Sequence, residues 1–375
     1  MMPLAPGRGV MRVSMVDPSA YTPPYDHALC AALARLGAEV ELVTSHFAYA
    51  TVPSPDGYRR RELFYARARG AAGSRQRRAT KLLAHVPDML RYRRAAARAD
   101  VVHFQWLTVP WLDAYLLPGR PLVLTAHDLL PREPRPGQAG AQRRLYDRAD
   151  AVVVHSQYGR RQLVHRLGLA ADKVHVIHHG AFDHITAVAP APLPAELANV
   201  SGPVVLFFGL LRPYKGLDTL LRAWAGVDGA ELWIVGRPRM DLAPLRALAS
   251  PGVRFVPRFV PEDELAALFG RADVVVLPYA RTERFDQSGV LASALAFGKA
   301  TVLSDVGGFS EVAAVGAAEL VVPGDPDALR AALSALIGDS SAREHLGAAA
   351  LAAARGPYSW DAAARETQTL YRTLV

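Results

Sequence analysis

Four short apolar runs in the first half of this chain end in histidine: His103, His127, His155 and the pair His178-His179. Imidazole ligates metals, donates and accepts hydrogen bonds, and exchanges protons near neutrality. A metal cluster would need carboxylates or thiolates spaced to complete it, and none stands there. The favoured reading is a polar rim that hydrogen-bonds a polyhydroxylated or anionic ligand, although each histidine taken singly also suits a structural hydrogen bond. Tyr25, ending the Ser/Thr/Pro-rich stretch 17–25, and Asp128 join the same rim. In the second half Arg212 and Lys215 stand three apart within Phe208-Gly209-Leu210-Leu211-Arg212-Pro213-Tyr214-Lys215-Gly216. Two cations at the start of a helix, whose dipole also favours anions, would hold phosphate. The chain has only four lysines, Lys81, Lys173, Lys215 and Lys299. One placed here supplies a compact point charge in a protein that otherwise uses arginine. Gly236 ends another run and permits close approach of a ligand to the backbone. Ser288, ahead of Gly289 and Val290, would cap a helix whose first amides face a diphosphate. The stretch 256–264, ending in Glu264, would line a flat slot the size of a base.

These residues need strands and helices to bring them together. Runs at 10–16, 40–44, 100–104, 122–125, 151–155 and 174–177 read as strands, with a helix at 26–36. Strands apolar at successive positions are buried on both faces, as in a parallel sheet between helical layers. Pro190, Pro192, Pro194 and Pro203 then break the rhythm. A second alternation follows, with strands at 204–208, 232–235, 253–256, 274–277, 301–304 and 320–322, and helices at 217–225, 262–270, 289–297, 327–337, 342–354 and 360–374. The expectation is an α/β protein of two doubly wound, Rossmann-like parallel-sheet domains facing a cleft. Their bounds are read as 1–185, a linker 186–203, a second domain 204–355, and a terminal helix in 356–375. Ligands in such sheets bind beyond the carboxyl ends of the strands, where the chemistry-bearing residues fall.

Composition narrows the function classes. Half the 375 residues are apolar, enough for two cores, yet no run is long enough to span a bilayer. Residues 1–10 contain Pro and Gly but no apolar leader region, so a cytoplasmic protein is expected. Cys30 is the single cysteine and cannot form an internal disulfide. The net charge of +8 is concentrated in residues 56–100, where 13 Arg/Lys stand against four acids. A local basic face with interleaved apolar residues, from Arg59 to Arg98, suits an anionic membrane surface at the inner face of the cell membrane or a phosphorylated acceptor, or is simply a solvated helix. No recognition motif accompanies the charge, so nucleic acid is not expected.

The second half resembles the nucleotide-sugar-binding domain of glycosyltransferase family 4, the retaining GT-B enzymes. The likeness rests on 209–216, 232–236, 253–264, Ala272-Asp273-Val274 to Pro278, and 287–311. That last stretch includes Ala296-Phe297-Gly298-Lys299, Ser304-Asp305-Val306-Gly307-Gly308 and Glu311. The first half matches more loosely, through Thr125-Ala126-His127-Asp128, Val154-His155-Ser156 and Val176-Ile177-His178-His179-Gly180, and helix 360–374 is similar to the family's terminal helix. The resemblance implies a nucleotide-diphosphate sugar as donor and a hydroxyl acceptor that is lipid-linked, a saccharide or a small molecule. It implies that Arg212 and Lys215 hold the diphosphate and that Ser288, Gly289 and Val290, with Gly209, Gly236 and Glu264, contact phosphate and donor. His127 would border the sugar near the reacting carbon. It further implies no metal and no other cofactor, with retention achieved by attack from the leaving-group side.

One departure stands out. The family carries two glutamates, separated by seven residues, ahead of the Gly-Lys pair; aligned on Gly298-Lys299, Phe285 and Ser293 occupy those positions. The second glutamate ordinarily binds ribose, so Ser293 is the candidate that must replace it, and Glu283 lies near the first position but out of register. A Gln-Ser-Gly-Val form of the site, at 287–290, marks a divergent subgroup. Two other functions share this architecture. A nucleotide-sugar epimerase would use acids such as Asp17, Asp128 or Glu283, and a binding scaffold would keep the nucleotide without turnover.

Overall fold

A computed structural model of the chain describes residues 9–71, 73–130 and 136–375. The chain forms two compact units: unit 1 is Met1–His155, Arg160–Ile177 and Trp360–Val375, and unit 2 is Ser156–Gly159 and His178–Ser359. Residues 1–8, most of the segment read as lacking a leader, lie outside the described residues.

Unit 1 runs β1 (Arg12–Asp17), α1 (Pro23–Arg35), β2 (Glu39–Ser45), β3 (Arg59–Phe64), α2 (Arg75–Ala95), β4 (Val101–Phe104), α3 (Pro110–Leu116), β5 (Leu122–Thr125), α4 (Gln138–Arg148) and β6 (Ala151–Val154). Helix α5 (Gln157–Arg161), whose first three residues belong to unit 2, and β7 (Val174–Val176) follow. The sheet order is β3-β2-β1-β4-β5-β6-β7, with every pairing parallel. The fully buried β4, β5 and β6 are the runs whose unbroken apolar character announces burial on both faces. Strand β3 is not among the strands read from the sequence, and it divides the basic face 59–98 between a strand and a helix. Arg59-Arg60-Arg61-Glu62 offers no apolar run because β3 is the sheet's edge, where exposed charge discourages pairing with another chain. Only Leu63 and Phe64 turn inward. The remaining basic residues lie largely on α2, among the exposed Leu82, Leu83 and Leu90.

Unit 2 comprises β8 (Val204–Phe208), α6 (Leu217–Trp224), β9 (Glu231–Val235), α7 (Ala243–Ala247), β10 (Val253–Val256), α8 (Glu262–Arg271), β11 (Val274–Leu277), α9 (Gly289–Ala296), β12 (Ala300–Ser304), α10 (Phe309–Ala314), β13 (Glu319–Val321), α11 (Pro326–Gly338) and α12 (Ser340–Arg355). Its all-parallel order is β10-β9-β8-β11-β12-β13. Leu220, Leu221 and Trp224 of α6 and Leu329 and Leu333 of α11 close a core over Val205, Phe207 and Ile234. Each such fully buried side chain contributes about 1.5–3 kcal/mol relative to exposure. The proline-rich residues 186–203 pack within this unit: Leu197 is fully buried and the Ala191 N–H donates to the Asp263 carbonyl. The last helix, α13 (Trp360–Leu374), belongs to unit 1 and lies on α1, with Arg35 paired to Asp361 at 2.7 Å.

In each sheet the strand order reverses between two neighbours, β1 and β4 in unit 1, β8 and β11 in unit 2. Loops leaving the carboxyl ends of such a pair diverge and open a crevice. No helix among the described residues is long and apolar enough to cross a membrane.

Candidate active site

The unit 2 crevice gathers most of the residues singled out for phosphate. After β8 the chain passes Gly209, makes one tight turn over Pro213–Lys215 and enters α6. Lys215 is buried rather than solvated. Its ammonium donates to the Tyr279 hydroxyl and lies 4.3 Å from that ring's centroid, so an aromatic face holds the charge. Tyr279 Oη is 3.0 Å from Ser288 Oγ, and Ser288 Oγ accepts the Val290 N–H at 3.3 Å as the cap of α9. Lysine, tyrosine, serine and helix terminus therefore form one connected chain.

Gly209 and Gly236 form the floor. Gly209, at φ 115°, leaves its Cβ position 3.3 Å from Val290 Cγ2 and 3.5 Å from Lys215 Nζ. A Cβ on Gly236, at φ 142°, would sit 1.9 Å from the Gly209 carbonyl oxygen. Gly289 opens α9 beside Phe182. Arg212 is half-buried, and its carbonyl accepts the Lys215 N–H at 3.0 Å, so both cations belong to one turn.

Other candidates have different settings. The Glu264 carboxylate is 2.6 Å from Arg258, which it holds above the usual arginine range by hydrogen bond and charge. Ser293 donates its hydroxyl to the Gly289 carbonyl at 3.2 Å, spending it on its own helix. Phe285 is a core residue, packed edge-on against Tyr279 and Phe309 with centroids 5.3 and 5.1 Å away. Two supports escaped the sequence reading. Tyr279 was only the residue after Pro278, and Asp286, fully buried and accepting the Ser156 hydroxyl, lay unremarked beside Ser288. Glu311 accepts the N–H groups of Gln157 and Tyr158 at 3.1 and 3.0 Å, the first turn of α5.

In unit 1 the histidines separate. His127, at the end of β5, stacks on Trp106 with centroids 4.9 Å apart and planes 13° apart; its Nε2 is 3.0 Å from Gln105 Oε1 and its Nδ1 3.2 Å from His155 Nε2. His155 is buried and donates from Nδ1 to the Ile177 carbonyl at 2.9 Å. His103 is a packing residue instead of a rim residue: its ring joins Tyr371 of α13 (2.6 Å) to Thr125 of β5 (2.7 Å), and burial lowers its pKa to about 3. Tyr25 is likewise internal, edge-on to His127 at 4.7 Å and to Trp360 at 4.9 Å. Asp128 is half-buried, its carbonyl accepting the Tyr146 hydroxyl at 3.3 Å. His179 belongs to unit 2, where Nδ1 donates to the Gly180 carbonyl and burial lowers its pKa to about 4. Among the described residues no group of three or more His, Cys, Asp or Glu is placed to hold a metal.

Asp17, at the end of β1, is fully buried and accepts the N–H groups of Ser19 (3.2 Å), Tyr21 (2.5 Å) and Thr22 (3.2 Å), so it folds its own loop. Beside it, burial and then the Asp17 charge push the Asp26 carboxyl well above the usual carboxylate range. Asp26 therefore keeps a proton in the folded state that the unfolded chain releases. A carboxyl whose folded value is raised stabilises fully only below its unfolded value, about pH 4, and loses that stability as pH rises toward the folded one. Asp26→Asn keeps a donor and removes the titration. Its melting temperature should gain on the parent's as pH climbs from about 4 to 8; thermal scans showing a pH-independent difference would contradict this.

Known proteins resemble this chain in sequence and in fold. Residues 25–181 match a family model described as Glycosyltransferase Family 4, and residues 202–339 one described as Glycosyl transferases group 1. A D-inositol 3-phosphate glycosyltransferase of Xylanimonas cellulosilytica is 31% identical over 98% of this chain and 97% of its own. An alpha-maltose-1-phosphate synthase of Mycolicibacterium smegmatis is 30% identical over 74% of this chain and 80% of its own. Among solved structures, sucrose-phosphate synthase from Thermosynechococcus elongatus superposes with a TM-score of 0.73 at 20% identity, covering 97% of this chain and 99% of that one. Anabaena HepE in complex with UDP-glucose gives 0.72 at 19% identity, covering 96% and 100%.

Proposed function

Since this chain belongs to glycosyltransferase family 4, we propose that it transfers a hexosyl group from a nucleotide-diphosphate sugar to an acceptor hydroxyl, with retention of anomeric configuration and without a metal ion. The observation that carries this reading is Lys215, buried against Tyr279 and linked through Ser288 to the start of α9. With Nζ donating to Tyr279, the phenol proton passes on to Ser288 Oγ. That oxygen also accepts from Val290 and so keeps its own proton for a ligand oxygen. The ammonium, the serine proton and the first amides of α9 thus offer positive potential to one diphosphate.

In the reaction the bond between the anomeric carbon and the β-phosphate oxygen breaks, its electron pair staying on that oxygen. The acceptor oxygen bonds to the same carbon from the same face, and its proton passes to the departing phosphate. Lys215 and Arg212 neutralise the charge that develops there, which is how fixed cations replace a metal. His127 is the unit 1 residue that the family reading assigns to the donor sugar. A bound UDP-glucose in HepE makes UDP-glucose the first donor to try.

Incubation with a panel of nucleotide sugars and acceptors should release nucleoside diphosphate, unchanged by a chelator, and yield a product of the donor's anomeric configuration by NMR. Sugar conversion without diphosphate release would make the protein an epimerase, and binding with no turnover a scaffold.

A further inference from the structure

We infer that helices α2 and α3 of unit 1 form a docking surface for an anionic lipid bilayer, with Leu82, Leu83 and Leu90 turned to the acyl boundary. The surface is independent of the transfer reading above.

The starting observation is that α2 has two distinct faces besides its charges. His85, Asp88, Met89 and Tyr92, three and four residues apart, are the buried one. They fix the helix to the sheet. Tyr92 Oη is 2.9 Å from Ser14 Oγ of β1, the Asp88 carboxylate accepts the Tyr65 N–H at 2.8 Å, and His85 Nδ1 is 2.7 Å from the Tyr65 hydroxyl. The other face repeats at the same intervals with Ala79, Leu82, Leu83, Val86 and Leu90. Leu82 is 55% exposed, Leu83 79% and Leu90 42%; among the described residues these are the exposed leucines of unit 1. Exposed apolar side chains scattered singly are ordinary, but these form a stripe along one helix. Helix α3 is tied to α2 by His85, whose Nε2 is 2.5 Å from Asp113 Oδ1. Trp111 and Tyr115 of α3, four apart and so on one face, are 59% and 72% exposed. Side chains with an apolar body and a polar tip settle at the headgroup level of a bilayer.

Cations bracket the stripe. Arg75, Arg77 and Arg78 precede it and Arg91, Arg93 and Arg94 follow, all exposed but the half-buried Arg77. Asp88 is the only acid of α2, and Arg91 already pairs with it at 2.9 Å. A helix that merely faced water would match its bases with acids one turn away and set acids in its first turn, where the dipole favours them. Helix α2 has no acid in that turn and sets arginines against its own positive end. An external layer of negative charge offsets that repulsion. The leucines then choose between anionic partners. They stand out from the helix, and a fluid acyl layer accepts them in any arrangement, whereas a protein would need a pocket shaped to each. The helix lies on the bilayer, because it is too charged to cross it.

The test is flotation of the full chain with phosphatidylcholine vesicles, with and without phosphatidylglycerol. Binding should be at least about tenfold tighter with phosphatidylglycerol and should fall severalfold between about 0.05 and 0.5 M salt. Leu82→Ser with Leu83→Ser, and Arg93→Gln with Arg94→Gln, should each weaken binding about tenfold. Their melting temperatures should match the parent's, since all four side chains are exposed. Lipids brominated near the headgroup end of the acyl chains should quench tryptophan fluorescence on binding. Trp111→Phe should remove that quenching, because Trp111 is the exposed tryptophan. Equal affinity for the two kinds of vesicle, or none for either, would overturn the inference. Full binding by the double leucine variant would overturn it as well, leaving charge alone as the cause. Soluble polyglutamate bound as tightly as the vesicles would assign the surface to an acidic protein instead.

Discussion

Lys215→Ala should slow nucleoside diphosphate release by about 10²-fold or more while the protein stays folded. Removing one fixed donor or charge from a site where negative charge develops costs about 2.7–4 kcal/mol of barrier. The expectation is at the upper end here because the ammonium is buried and already held by Tyr279, so it needs no reordering when the phosphate departs. Truncation also leaves the Tyr279 hydroxyl without its donor, which loosens the link to Ser288. Tyr279→Phe should therefore reproduce part of the loss, on the order of tenfold, since it leaves the charge but frees its position. The check is kcat/KM for diphosphate release, with melting temperatures confirming the folds. Turnover within about threefold of the parent in Lys215→Ala would take away the residue on which the proposed chemistry stands.

The second large effect is on stability. Gly236→Ala would place a methyl group 1.9 Å from the Gly209 carbonyl oxygen, in a backbone conformation at φ 142° that side chains rarely adopt. Neither β8 nor β9 can retreat, because their residues are buried and paired in register along the sheet. A cost of about 3–4 kcal/mol, seen as a fall of roughly 10 °C in melting temperature, is expected. Gly229→Ala is the control. It shares a positive φ of 73° but meets nothing within 4 Å, so only the conformational cost of about 1 kcal/mol should remain. Equal melting temperatures for the two variants would show that the contact between Gly236 and Gly209 is not tight.

The contrast between these glycines and the edge strand shows what the residue string carries. Buried strands such as Val274–Leu277 and Ala151–Val154 are legible because burial on both faces demands an unbroken apolar run. Strand β3 is not, because an edge strand exposed to water can be built of arginine and still pair through its backbone. The places of Lys215, Ser288 and the two floor glycines are legible because each stands at a strand end or a helix start. Tyr279 and Asp286 are not: their importance lies in what they touch across the sheet, and no spacing encodes that. The histidines divide on the same ground. His127 ends a strand at the crevice, whereas His103 lies among Tyr371 and Thr125, and only the position of α13, 268 residues further on, decides that it is core.

That last contact bears on how the molecule is made. Unit 1 includes α13, which is encoded after all of unit 2. During synthesis the seven-stranded sheet emerges long before the helix that covers α1 and binds His103. The C-terminal unit can mature first in order of completion, and the N-terminal one must wait for the trailing helix, with Tyr25 and His103 incompletely covered in the interval. A nascent chain with such a gap is the kind that exposes apolar surface before its fold is finished.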